Sequence, residues 1–182
     1  METIGNLDLV PPGRRVGGDG PGYLMAPFTH VSPDRPTRFS NGTFGVLYLG
    51  ETFETALAET IHHDEKFMLR THEPAGWTSQ FRELVLDAKL TAHDLTGSDA
   101  YAEALAPDDY TEAQRLGAAL KGGGSDGVLY PSVRNPGNRC LGLFYPDLAG
   151  PPAQGRHLDY HWNVGRVDFY REHASGAVFE VG

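Results

Sequence analysis

The stretch Thr37–Glu65, TRFSNGTFGVLYLGETFETALAETIHHDE, sets an arginine (Arg38), a tyrosine (Tyr48) and a glutamate (Glu59) at the edges of apolar runs. A carboxylate at the margin of a core is partly desolvated, the setting in which working carboxylates are found. Downstream, Tyr130-Pro131-Ser132-Val133-Arg134 carries Ser132 and Arg134 to the end of a strand, just before Asn135-Pro136-Gly137. Loop ends on a rigid sheet are common places for ligand contacts. Spacing alone also describes a blander molecule, and favours it. In that reading Glu59 makes an ordinary boundary contact with His63, Arg38 is a strand-edge arginine in a surface ion pair, Tyr48 is a core tyrosine, and Ser132 is a turn hydroxyl bound to backbone.

The elements that must hold these residues can be read around them. Thr37–Glu65 reads as strand, turn, strand and helix. Phe44–Leu49 is a nearly continuous apolar run after the turn signal Asn41-Gly42, as in a strand buried on both faces. Thr52 is placed to cap the helix that follows, with Glu51 and Glu54 at the positive end of its dipole. Phe53, Ala56, Leu57, Thr60 and Ile61 form its core stripe, with Glu59 just outside and His63 one turn further on.

Elsewhere, residues 1–22 read as a loop-rich arm in which Arg14-Arg15 is a solvated pair, and Tyr23–Thr29 as a short first strand. Glu73–Gly76 is a turn followed by Trp77 as an apolar anchor, and Phe81–Asp87 is a strand. Asp94–Gly97 marks a turn. Ala100–Ala106 forms a short helix stopped by Pro107. Asp108 or Asp109 caps a helix running to Leu120, with Ala113, Leu116, Gly117 and Leu120 on one face. Val128–Tyr130 and Leu141–Tyr145 flank a hairpin turn, and residues 164–182 form a C-terminal hairpin that covers a sheet edge.

Composition bounds the class. The chain has 182 residues, 40% of them hydrophobic, which suits one domain (1–182) with a real core. A formal net charge of -9 argues against broad nucleic-acid binding, which needs a basic footprint. An anionic substrate would need a local arginine cluster, for which Arg35, Arg38 and Arg134 are the candidates. No apolar run approaches the length of a membrane span, and no cleavable leader is evident; the expectation is a soluble, cytoplasmic protein without a membrane partner. The lone Cys140 fits a reducing compartment and reads as a small buried hydrophobe. The sequence is silent on oligomeric state and compatible with a homo-oligomer.

Several chemistries fit poorly. His157 and His161 fall in a loop or strand, where a spacing of four does not converge on one ion, so no metal is expected. Ser132 lacks the Gly-x-Ser-x-Gly elbow of serine hydrolases. Lys121–Gly127 has its lysine before the glycines, the reverse of a phosphate-binding loop, and reads as a helix stop and turn.

Arg38-Phe39-Ser40, Val46-Leu47-Tyr48-Leu49, Glu54-Thr55-Ala56-Leu57-Ala58-Glu59 and Tyr130-Pro131-Ser132-Val133-Arg134, in that order, resemble the RES domain family, over about Thr37 to Tyr145. The resemblance implies an α+β fold like that of ADP-ribosyltransferases, with a split, mostly antiparallel sheet and flanking helices. It implies an NAD-consuming toxin of a toxin–antitoxin pair: an NAD phosphorylase or glycohydrolase cleaving the nicotinamide–ribose bond, with a cognate antitoxin as partner. NAD would be substrate rather than cofactor, and inorganic phosphate a co-substrate. Glu59 would be the catalytic carboxylate, Arg38 would bind the NAD phosphates, Tyr48 would contact nicotinamide or ribose, and Ser132 would complete the pocket with Arg134 and Asn135 nearby.

Such chemistry suits the residues. Nicotinamide leaves NAD as a neutral base from a pyridinium cation, so the acid half of the usual carboxylate pair is dispensable. One carboxylate can stabilise the oxocarbenium charge, and arginine can clamp the diphosphate. Protein mono-ADP-ribosylation at the same site and a non-catalytic partner-binding domain are the alternatives. One departure stands out. Family members carry an arginine with an aromatic neighbour upstream of the core arginine, whereas Gly22–Phe28 offers Tyr23 and no arginine; Arg35 is the candidate substitute.

Overall fold

In the computed structural model, which describes residues 5–17 and 21–182, the chain is α+β. Its elements are α1 (Pro21–Thr29), β1 (Leu47–Gly50), α2 (Phe53–Met68), β2 (Thr78–Val85), β3 (Ala92–Asp94), α3 (Thr111–Gly122), β4 (Gly127–Pro131), β5 (Arg139–Leu143), β6 (Ala153–Trp162), β7 (Val167–Glu172) and β8 (Val178–Glu180). Two four-stranded sheets result, ordered β1-β5-β4-β3 and β2-β6-β7-β8. All their pairings are antiparallel except β3 with β4. The expected class, with mostly antiparallel sheets and flanking helices, is found.

Three apolar clusters hold these layers. Phe39, Val46, Leu95, Ala113, Val128, Tyr130, Cys140 and Phe144 form the first, with Leu116 and Leu120 of α3 packed against it. Ile61 of α2 meets Leu158, Tyr160 and Val167 of the second sheet. Leu24 of α1 packs with Leu143 and Ala149 in the third. Of the stripe expected on α2, Ile61 is buried and Phe53 and Leu57 pack against its cluster, whereas Thr60 is exposed and Thr55, outside the stripe, is fully buried. Thr52 caps α2 by accepting the Thr55 N–H, and α3 stops at Gly122, with Lys121 in its last turn donating to the Phe144 carbonyl at 2.9 Å.

Several expectations are corrected. Tyr23–Thr29 is helix, not strand: Leu24 and Phe28, four apart, are both buried, and a short apolar run with that spacing suits a helix turn as well as a strand. The first strand expected at Thr37 is only an isolated bridge between Thr37 and Ser40, because the Phe39 N–H bonds the Tyr48 hydroxyl instead of a neighbouring strand. The strand expected over Phe44–Leu49 begins at Leu47 and is half-buried, since its outer edge has no strand partner in its sheet. Ala100–Ala106 forms two 3-10 turns, Asp99–Tyr101 and Glu103–Leu105, in place of one helix. Trp77 is 46% exposed; Trp162, whose N–H bonds the Trp77 carbonyl, is the buried anchor.

The N-terminal arm is partly outside the described residues. What is described is docked: Val10 is buried and Arg14 pairs with Asp126 at 2.8 Å and Asp147 at 2.9 Å, so Arg14 is no solvated cation. The C-terminal hairpin forms as β7–β8, with β8 at the edge of its sheet. It adds to β6, the longest strand, which the sequence reading left as loop or strand.

Two glycines set how closely layers meet near Arg38 and Glu59. A Cβ on Gly50 would stand 2.5 Å from the Ala56 nitrogen, so α2 lies directly on the end of β1. A Cβ on Gly117 would stand 2.1 Å from the Phe39 carbonyl oxygen, so α3 lies directly on the loop bearing Arg38. Gly117→Ala must push backbone apart, and we expect a loss of about 1–3 kcal/mol, as for other overpacked cores. Urea unfolding of the variant beside the parent checks it; an unchanged midpoint would mean that the two backbones separate freely.

Candidate functional site

Glu59 lies on α2, where its side chain meets the β4–β5 hairpin. Its Oε1 accepts the Ser132 hydroxyl at 2.8 Å, and the Cys140 thiol lies 3.7 Å away. Ser132, 4% exposed, also accepts the Asn135 N–H at 3.0 Å. The Asn135 side chain donates to Thr55 Oγ1 at 3.1 Å, and Thr55 in turn bonds the capping Thr52. The turn 132–135 is therefore hydrogen-bonded to the first two turns of α2. Ser132 is the turn hydroxyl bound to backbone, as one reading of the sequence expected, and the same hydroxyl also donates to Glu59.

Arg38 is 8% exposed and makes no ion pair among the described residues. Its Nη1 donates to the Ala106 carbonyl at 2.9 Å and the Ala104 carbonyl at 3.5 Å, and its Nη2 to the Pro107 carbonyl at 3.5 Å. The guanidinium carbon sits 4.5 Å from the centre of the Tyr110 ring. Three of the five N–H donors are thus occupied by one segment, and two remain for another acceptor.

Tyr48 turns its hydroxyl toward that same loop. It accepts the Phe39 N–H at 2.9 Å and shares a 2.9 Å bond with Thr37 Oγ1. Burial pushes its pKa up to about 12, so it stays neutral and serves as a brace for the backbone beside Arg38. Its ring is what it can offer a ligand.

Arg134 donates to the Pro107 carbonyl at 2.6 Å and to Asp108 at 3.3 Å. Both arginines therefore bind the Ala104–Asp108 segment. His63 feels the charges of Glu59, Lys66, Arg134 and Arg38 together; burial is the main cause of its lowered pKa, with the three cations adding to it and Glu59 opposing. The Tyr130 hydroxyl, raised well above its usual range chiefly by burial, is also acted on by Glu59 and Arg38. Glu59, Arg38 and Arg134 thus each act on the charge of His63, and both arginines bind the Ala104–Asp108 segment. Arg35 lies apart from it in kind, exposed on a turn closed by its N–H to the Ser32 carbonyl.

Cavities of about 250 and 490 Å³ lie elsewhere, between β1 with the start of α2 and strand β2. Tyr48 lines the first and Cys140 the second, but Arg38, Glu59 and Ser132 line neither. The Cys140 thiol is pushed up to about 11, first by burial and then by Glu59, so it remains protonated and is not a nucleophile near neutral pH. His157 and His161 are both on β6 and turn to different partners, Arg82 and Asp168.

The sequence reading missed Tyr110, Tyr130, Lys66 and Asp108 as neighbours of this region. For Lys66 a signal was present, since Glu59, His63 and Lys66 recur at i, i+4 and i+7 on one helix face. For Tyr110 and Asp108 none was, because only tertiary packing brings that segment onto α2.

With this geometry in hand, the chain belongs to the RES domain family, whose model matches residues 12–163. It is also 30% identical over 146 residues to the uncharacterized protein y4oC of Sinorhizobium fredii (strain NBRC 101917 / NGR234). The match covers 80% of this chain and 59% of that protein, so the chain spans about three-fifths of the length of the relative. Among the described residues no helix is long and apolar enough to cross a membrane.

Ser132→Ala would leave Glu59 without its hydroxyl donor and the Asn135 N–H without its acceptor. We expect a loss of about 1–3 kcal/mol in urea unfolding, the cost of buried polar groups losing a partner. An unchanged midpoint would mean that other contacts hold the turn to α2.

Proposed function

We propose that this chain cleaves the nicotinamide–ribose bond of NAD and passes the ADP-ribosyl group to inorganic phosphate or water. The observation that carries the reading is Glu59, a half-buried carboxylate oriented by Ser132, in a region where Arg38 and Arg134 supply positive charge. RES family membership supports it, as do the two separate, mostly antiparallel sheets expected of a relative of ADP-ribosyltransferases.

In this reading the electron pair of the C1′–N bond passes to the pyridinium ring, which leaves as neutral nicotinamide. Glu59 stabilises the positive charge growing on the ribose through its hydroxyls and ring. An oxygen of phosphate or water then bonds C1′; the proton lost in forming the new ester or hydroxyl goes to solvent. Arg38 uses its remaining donors on the diphosphate, with Tyr110 behind it as a cation–π support. Tyr48 fixes the backbone that presents Arg38 and offers its ring edge to the nicotinamide side. Asn135 holds the turn that carries Ser132. The family also supports a place in a toxin–antitoxin pair, with a protein antitoxin as the partner and the cytoplasm as the location.

Purified protein incubated with NAD, with and without phosphate, should release free nicotinamide, measured by chromatography. Glu59→Gln removes charge with little change in volume and should lower kcat by about 10²-fold while the protein stays folded by circular dichroism. No release by the parent under either condition, or release by the folded variant at the parent rate, would overturn the reading.

A further inference from the structure

Lys66 and Arg134 come from different elements, α2 and the β4–β5 turn, yet both bind one carboxylate oxygen. Lys66 Nζ is 3.0 Å and Arg134 Nη2 is 3.3 Å from Asp108 Oδ1. The lysine ammonium also lies 5.6 Å from the centre of the Tyr110 ring that Arg38 stacks on. Three cations thus gather around the segment Ala104–Tyr110 in a chain of net charge -9. Such local concentration against the overall charge marks a place for an anion.

We propose that Lys66 and Arg134 form a subsite for phosphate oxygens, which the Asp108 carboxylate occupies in this structure. The contact is easily exchanged. Asp108 is 71% exposed, and exposed ion pairs contribute little to stability. A phosphate group brings more charge and more acceptor oxygens than a carboxylate, and the planar guanidinium of Arg134 suits two of them at once. The arginine is the more enclosed cation, 19% exposed against 38% for Lys66, so it fixes the site while the lysine adds charge.

Position along α2 says which phosphate. Lys66 follows Glu59 by seven residues, or about 10 Å along the helix axis. With the ribose at Glu59, a diphosphate running along the helix reaches the Lys66–Arg134 pair. The ligand class is therefore a nucleoside diphosphate or free pyrophosphate. Its identity as the diphosphate of NAD rests on the function proposed above; the anion site itself rests on geometry alone. For a diphosphate to enter, Asp108 must leave, releasing Lys66 and one bond of Arg134 while the Pro107 carbonyl keeps the other. Asp108 therefore competes with the ligand, setting its affinity.

Calorimetric titration of the full chain with inorganic pyrophosphate tests this without any need for cleavage. Asp108→Asn should bind at least about fivefold more tightly than the parent, and Lys66→Gln at least about fivefold more weakly, with both differences shrinking as salt is raised. Equal affinity in parent and Asp108→Asn, or equal affinity in parent and Lys66→Gln, would overturn the subsite. If the pyrophosphate pattern holds while the parent releases no nicotinamide, the subsite stands and the proposed chemistry falls. If nicotinamide is released while neither variant shifts pyrophosphate affinity, the chemistry stands and the subsite falls.

Discussion

The attachment of α2 to the β4–β5 turn is the constraint on which the site depends. Two part-buried hydrogen bonds make it, Ser132 to Glu59 and Asn135 to Thr55, and in each one partner, Ser132 or Thr55, is buried. A buried polar group without a partner is costly, so each of these side chains is held by the need of the other. Gly50 allows the start of the helix to come down on β1, and the turn then fixes the helix from the other side. A carboxylate held this way cannot swing out to solvent without stranding a hydroxyl.

Arg38 is fixed by a second, independent device. Its loop is too short for a ladder; Tyr48 accepts the Phe39 N–H and Gln114 donates to the Thr37 carbonyl, supplying the missing backbone partners. The partners that the guanidinium has are carbonyls, which carry no net charge, so its positive charge is left uncancelled and two donors stay open. Arg134 and Lys66 are balanced instead by Asp108, an exposed carboxylate that gives way cheaply. The site thus combines one cation that is permanently placed with two whose counter-charge is replaceable. That division would suit the anionic ligand proposed above, in a chain of net charge -9.

Much of this was legible in the sequence where local chemistry decides the structure. The Thr52 cap, the helix stop at the glycines after Lys121 and the Asn135–Gly137 turn follow from side-chain and backbone preferences within a few residues, and each is found; the α2 stripe is found only in part, since Thr60 is exposed. The α+β class followed from the same elements. What was not legible depends on distant packing. Tyr23–Thr29 reads as a strand but is helix, with Leu24 and Phe28, one helical turn apart, both buried. The Arg38 loop was misread because its β-like run bonds a tyrosine hydroxyl eleven or fewer residues away instead of a strand. Asp108 looked like a helix cap and is instead a counter-ion; Asp109 takes the bond to the first-turn Thr111 N–H. The four positions of the RES pattern were visible as residues, but that Ser132 reaches Glu59 itself could come only from the fold.

The central claim is that Glu59, at its junction with Ser132, faces the ribose of NAD. A crystal structure of the Glu59→Gln protein soaked with NAD tests it most directly, because the substitution preserves shape while slowing turnover. The account predicts the nicotinamide-side ribose hydroxyls at hydrogen-bond distance, about 3 Å, from the residue 59 amide, with the diphosphate running toward Arg38 and Arg134. NAD seated instead in the apolar cleft between β1 and β2, with no contact to residue 59, would contradict it.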